Sequence, residues 1–143
     1  LIAHKSVSIA LKKEKKYLSK KNLELFKTKV LKSKIVLLEK IKKIKFKNQK
    51  IFAVGAPSRA TTLVNYVGIN EEMVDYICEI KGSHKIGHYL PGTRIPIMPE
   101  EIIFKKKPQY LLLLSWHISK ELIKNLKKRD TRENLSFLCP IQE

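Results

Sequence analysis

The spacing of apolar residues changes near residue 48, and the change divides the chain. Before it, Leu23, Phe26 and Val30, then Leu31, Ile35, Leu38 and Ile41 recur every three or four positions, the period of one helical face. That pattern predicts an amphipathic helix of about 20 residues. Asn22 is its expected N-cap, Glu24 suits the first turn, and lysines fill the remaining faces. The stripe needs a covering surface, and its repeat is too short and irregular to favour a coiled coil. After Asn48 short apolar runs alternate with helical stretches. Residues 51–54 read as a buried strand, 61–67 as a helix closed by Gly68, and 76–78 as a second strand. KGSHKIGHYLPGTRIPI, ending at Ile97, has the glycines and prolines of a long excursion, with a turn at Leu90, Pro91, Gly92 and Thr93. Pro99, Glu100 and Glu101 begin a helical turn. Residues 110–115 form the most apolar strand, 119–129 a helix with Leu122, Ile123 and Leu126 inward, and 136–139 a last strand. Strands alternating with helices predict a mostly parallel sheet covered on both faces. The expected architecture is a small Rossmann-like three-layer α/β/α domain over residues 50–143. Residues 1–49 read as the end of an upstream domain plus a lysine-rich connecting helix.

Charge sharpens that division. The chain of 143 residues carries a formal charge of +17, which suggests a nucleic-acid or membrane binder until its position is considered. Residues 1–50 hold seventeen lysines against Glu14, Glu24 and Glu39. This segment has no arginine and few aromatics, a poor match to surfaces that read bases. Solvated helix faces are the expected role, and any affinity for nucleic acid should be non-specific and salt-sensitive. Cys78 and Cys139 lie in strand-like apolar runs and read as buried, reduced thiols. With no C-x-x-C pair, and with His4, His84, His88 and His117 scattered, no zinc site is expected within this chain. No stretch has the length of a membrane span or the form of a signal peptide, so a cytoplasmic location is expected. The chain starts at Leu1 rather than methionine, and Leu1, Ile2 and Ala3 read as the end of a strand. A C-terminal piece of a longer protein is therefore expected.

The candidate chemistry lies in GAPSRATTLVNY, beginning at Gly55. A strand that delivers a small-residue loop onto a helix N-terminus gathers unpaired N–H groups and the positive end of the helix dipole. Gly55 can take a positive φ, while Ala56 and Pro57 keep the loop low and stiff. Ser58, Arg59, Thr61 and Thr62 add hydroxyls and a forked cation suited to phosphate or carboxylate. The loop is neither the three-glycine dinucleotide fingerprint nor a P-loop, and an ordinary strand-to-helix turn fits the local pattern equally well. Ligands of parallel sheets sit at the carboxyl ends of the strands. There the loop meets residues 79–81 and the segment Ser115, Trp116, His117, with Tyr89 through Thr93 as a wall. Trp116 and His117 could stack on a ring or donate to an oxygen; ordinary packing is the alternative for both.

Taken in order, GAP-x-[KR] running into T-L-x-N-Y-x-G-I, then G-x-Y-L-P-G-T-x-I-P-I, then a leucine-rich strand ending in tryptophan, resembles the C-terminal domain of S-adenosylmethionine-dependent C-methyltransferases acting on nucleotide-linked deoxysugars. The resemblance covers about residues 50–143, and Leu1 to His4 resemble the closing strand of the family's central domain. It implies a zinc-binding N-terminal domain and a central methyl-donor domain upstream, with this domain closing the substrate cleft. It also implies phosphate contacts from Gly55, Ala56, Pro57, Ser58 and Arg59, with Thr61 and Asn65 steadying the loop. Tyr89, Pro91, Gly92 and Thr93 would border the cleft with Trp116 and His117. The loop departs from the family's GAPAKGNT at Ser58, Arg59, Ala60 and Thr61. The implied partners are a small-molecule substrate, nucleotide-linked, and the upstream domains of the same protein, with no membrane and no specific nucleic acid. The donor site, cysteine ligands and general base would lie outside this chain, leaving it without catalytic residues or cofactors of its own. Two other readings fit parts of the sequence. One is a stand-alone nucleotide or coenzyme A binding domain, with Glu79 holding a ribose; the other is a basic module for nucleic acid or an acidic partner.

Overall fold

The computed structural model describes residues 2–141, and divides between Lys34 and Ile35 into two compact units. The first unit is helical. Helix α1 (Ile2–Tyr17) occupies the segment read as a closing strand; Leu1 lies outside the described residues. The Ala, Leu, Lys and Glu that crowd residues 10–16 are strong helix formers, and once nucleated the helix extends back through Ile2 and Ala3. Helix α2 (Lys20–Phe46) is 27 residues long and starts ahead of Asn22. The capping role falls to Ser19, whose Oγ accepts the Asn22 N–H at 3.4 Å, while Asn22 Nδ2 donates to the Lys16 carbonyl at 2.9 Å. The predicted stripe is only partly buried: Leu23, Phe26 and Leu31 are 50%, 66% and 52% exposed. The buried residues of α2 are Leu37, Ile41 and Ile44, spaced four and three apart near its end.

The second unit is built on five parallel strands in the order β3-β2-β1-β4-β5. They are β1 (Ile51–Val54), β2 (Tyr76–Glu79), β3 (Ile97–Pro99), β4 (Tyr110–Leu113) and β5 (Ser136–Leu138). Between them lie α3 (Ser58–Val67), α4 (Glu101–Lys106) and α5 (Ser119–Arg129), with a 3₁₀ turn at Trp116–Ile118. Alternation along the strands sorts the core into two layers. Ile51, Ala53, Ile77 and Leu112 pack with Leu37 and Ile41 of α2 and with Val64 of α3. Phe52, Val54, Leu111 and Leu113 pack on the other face with Ile103 of α4 and Leu126 of α5. The result is the expected Rossmann-like three-layer architecture. Strand β3 is the element that the sequence pattern concealed. It is three residues long, is preceded by Pro96 and ends in Pro99, and proline is tolerated in a sheet only at edges. Pro99 is thus the last residue of an edge strand rather than the start of a helix.

Two contacts hold the connections. Arg132 donates from Nε to Asp130 Oδ1 (2.8 Å) and from Nη2 to Oδ2 (2.6 Å), and its Nη1 reaches the Pro108 carbonyl at 3.1 Å. This fork ties the loop after α5 to the start of β4. At the other end of the sheet, Gly55 has φ +86°, and a Cβ there would lie 2.3 Å from Ser115 Oγ. The loops leaving β1 and β4 therefore touch. Both cysteines are free; Cys78 is buried, as expected, but Cys139 is only half-buried because β5 ends at Leu138. Burial pushes the Cys78 thiol far above its usual range, so it stays protonated and unreactive.

Gly55→Ala should destabilise the domain by about 1–3 kcal/mol, combining left-handed strain with the Ser115 clash, as read from urea unfolding. Ser115→Gly in the same chain should recover the steric part only. The hydrogen bonds from Arg132 hold the Asp130 carboxyl below its ordinary value. Its stabilising contribution is therefore complete above an ordinary carboxylate pKa of about 3.9 and is lost as pH falls through the lower folded-state value. Arg132→Ala, which leaves the Asp130 carboxylate with the residue-132 backbone N–H but without its ion pair, should cost about 2 kcal/mol at neutral pH. The deficit relative to the unsubstituted chain should shrink in acid unfolding curves.

Candidate functional site

The strand order reverses between β1 and β4. In open parallel sheets the crevice at such a reversal, outside the carboxyl ends of the strands, is where ligands bind. The loop 55–59 leaves β1 at this point and enters α3, whose N-cap position is Pro57 with no side-chain cap.

The loop's backbone donors decide what it can offer. The Gly55 N–H goes to the Cys78 carbonyl at 2.9 Å. The Ala56 N–H is taken by Glu79 Oε1 in a short hydrogen bond. Pro57 has no N–H, and its carbonyl accepts the Ala60 N–H at 2.8 Å. Among the described residues no acceptor meets the amides of Ser58 and Arg59. They are the open donors at the positive end of α3. Ala56 is also held at its carbonyl, which accepts Lys85 Nζ at 2.6 Å. The loop is thus fixed from both sides by groups of the excursion and of β2. Glu79, weighed from sequence as a ribose acceptor, engages the loop itself.

Arg59 turns toward the β4 side. Its guanidinium lies 5.6 Å from the Trp116 ring centroid, and Nη2 is 3.4 Å from His117 Nε2. Arginine has no acceptor, so any hydrogen bond in this contact runs from the guanidinium to His117 Nε2. Trp116 and His117 therefore orient the cation, a role that sequence alone did not suggest. Asn65 donates from Nδ2 to the Thr61 carbonyl at 2.8 Å and to the Pro91 carbonyl at 2.9 Å. A Cβ on Gly92 would lie 2.2 Å from Asn65 Oδ1, so the excursion's turn docks closely on α3. Thr93 serves that turn: its Oγ1 donates to the Leu90 carbonyl (2.9 Å) and accepts the Ile95 N–H (3.2 Å).

Between α3 and the excursion is a cleft of about 520 Å³. Ala56, Ser58 and Thr61 line it from the loop and α3; His84, Lys85, His88 and Tyr89 line it from the excursion. Buried Leu90 and Ile97, with Pro91, complete its lining. The sequence reading placed Tyr89 and Pro91 here but missed His84, Lys85 and His88. Their signal was a run of basic residues within a segment that also bears the turn motif, and scattered histidines conceal it. Trp116 and His117 are not among the residues lining this cleft; they meet Arg59 on the β4 side.

No described helix is long and apolar enough to cross a membrane. The family described as the C-methyltransferase C-terminal domain matches residues 2–141, which include both lysine-rich helices. The C-methyltransferase NovU of Streptomyces niveus is 34% identical over 89 residues, or 62% of this chain and 21% of that protein. The chain thus spans about a fifth of the length of this curated relative. With the GAP loop on β1, the docked turn at Gly92 and the tryptophan after β4 all at one edge of the sheet, the chain belongs to the C-methyltransferase C-terminal domain family.

Proposed function

We propose that this chain is the substrate-binding and cleft-closing domain of an S-adenosylmethionine-dependent C-methyltransferase that acts on a nucleotide-linked sugar or a related small molecule. The observation that carries the reading is the pair of open amides at Ser58 and Arg59 beside the oriented Arg59 guanidinium. Two N–H donors, a helix dipole and a forked cation suit a diphosphate and offer little to a neutral ligand.

The residues present do not fit the groups that do the chemistry in such enzymes. Among the described residues, no three or more His, Cys, Asp or Glu side chains cluster to hold a metal ion, and the Cys78 thiol is far from ionising. The loop has one glycine, and Glu79 is engaged by Ala56, an arrangement unlike a dinucleotide-type cradle. Zinc and the methyl donor are accordingly assigned to upstream domains of the same protein. This chain supplies binding and orientation and is catalytically silent alone.

Calorimetry with thymidine diphosphate, at salt that screens the lysine-rich helices, should show saturable binding of modest affinity. Arg59→Ala should weaken it about tenfold or more, the loss of a charge-assisted contact worth about 1.5–3 kcal/mol. S-adenosylmethionine should give no saturable heat. Donor binding, or nucleotide binding indifferent to Arg59, would contradict the roles assigned. A second pair of variants probes the loop. Glu79→Gln keeps an acceptor for the Ala56 N–H and should retain binding. Glu79→Ala should weaken binding and speed hydrogen exchange at Ala56.

A further inference from the structure

The apolar stripe at the start of α2 is uncovered within its own unit. Leu23 and Phe26 are 50% and 66% exposed, and three residues apart they share one side of the helix. Val30, four residues further, continues that side. Lys27 and Lys29 flank it, and among the described residues neither forms an ion pair with a carboxylate. Residues 15–34 hold eight lysines against Glu24 alone. An apolar ridge bordered by ammonium groups fits a covering surface that is itself both apolar and anionic.

Three kinds of surface carry negative charge, and the residues discriminate between them. Nucleic acid answers the lysines but leaves leucine and phenylalanine in water, because its attraction for lysine acts through phosphates. Protein interfaces favour arginine and are depleted in lysine, whereas residues 1–50 contain no arginine. A bilayer of anionic lipid answers both parts. Leucine and phenylalanine enter the boundary between headgroups and acyl chains, while lysine stems reach up to the phosphates. We propose that the first turns of α2 lie on an anionic membrane surface, with Leu23 and Phe26 inserted and Lys27 and Lys29 among the headgroups. The helix rests in the interface, since no described helix is long and apolar enough to cross a membrane. This contact does not depend on the substrate reading above, and it replaces the expected absence of a membrane partner.

The test is co-sedimentation of the chain with vesicles of phosphatidylcholine alone and of phosphatidylcholine mixed with phosphatidylglycerol, at about 0.15 M salt. Only the mixed vesicles should carry the chain down. The double variant Leu23→Gln, Phe26→Gln keeps good helix formers at both positions and should weaken that binding about tenfold or more. Circular dichroism reports whether its helix content is kept. Higher salt should weaken the binding of the unsubstituted chain without abolishing it, because screening acts on the charges and not on the inserted side chains. Binding that the double variant leaves unchanged would reduce the contact to charge and overturn the insertion. Binding to neither vesicle would overturn the membrane surface outright. Self-association that depends on Leu23 and Phe26, seen by sedimentation velocity in place of vesicle binding, would give the stripe to a second copy and overturn it equally.

Discussion

Strand β1 is paired on both edges and covered on both faces, and the site depends on that enclosure. Its four residues are all buried, its neighbours β2 and β4 are both parallel to it, and its alternate side chains enter different cores. A strand so enclosed has no freedom in register, because a slip of one residue would exchange the two cores. The position of Gly55 is fixed in consequence. It emerges between β2 and β4 at the point where the strand order reverses, close enough to Ser115 that a larger residue would collide. Everything proposed for function follows from what that loop can and cannot reach from there.

The loop's charge balance shows how a scaffold divides its donors between structure and ligand. A strand-to-helix loop could offer all its amides to an anion. Here Glu79, anchored at the end of β2, already engages the Ala56 amide, and Lys85 secures the carbonyl of the same residue. These contacts reduce the number of open donors but fix those that remain, so that little ordering is left for a ligand to induce. Arg59 is treated similarly. Resting on Trp116 and directed at His117, it loses fewer rotamers on meeting a phosphate than a free surface arginine would.

Much of this was legible in the sequence because the relevant signals are local. The run at 51–54, the helix at 119–129 and the stop at Gly68 are set by period and by single residues and agree with the fold closely, while the strand expected over 110–115 ends at Leu113. The failures were non-local. Strand β3 is three residues bounded by prolines, and only the edge of an existing sheet makes it a strand. Ile2 and Ala3 are apolar enough for a strand, but helix propagation claims them. The expected stripe of α2 begins at Leu23, whereas burial begins only at Leu37, since period alone does not say which turns meet a core. In the site, the loop motif was visible, but the engagement of Ala56 by Glu79 and Lys85 joins residues 23 and 29 positions apart. No spacing rule reports such a contact. For the same reason Trp116 and His117 were visible as site residues, while their hold on Arg59 was not.

A crystal structure of this chain with bound thymidine diphosphate tests the central claim most directly. The account predicts phosphate oxygens within hydrogen-bonding distance of the Ser58 and Arg59 amides and of the Arg59 guanidinium, with Glu79 still accepting the Ala56 N–H. A phosphate bound at the Ala56 amide with Glu79 displaced, or a nucleotide held by the lysine-rich helices away from α3, would contradict it.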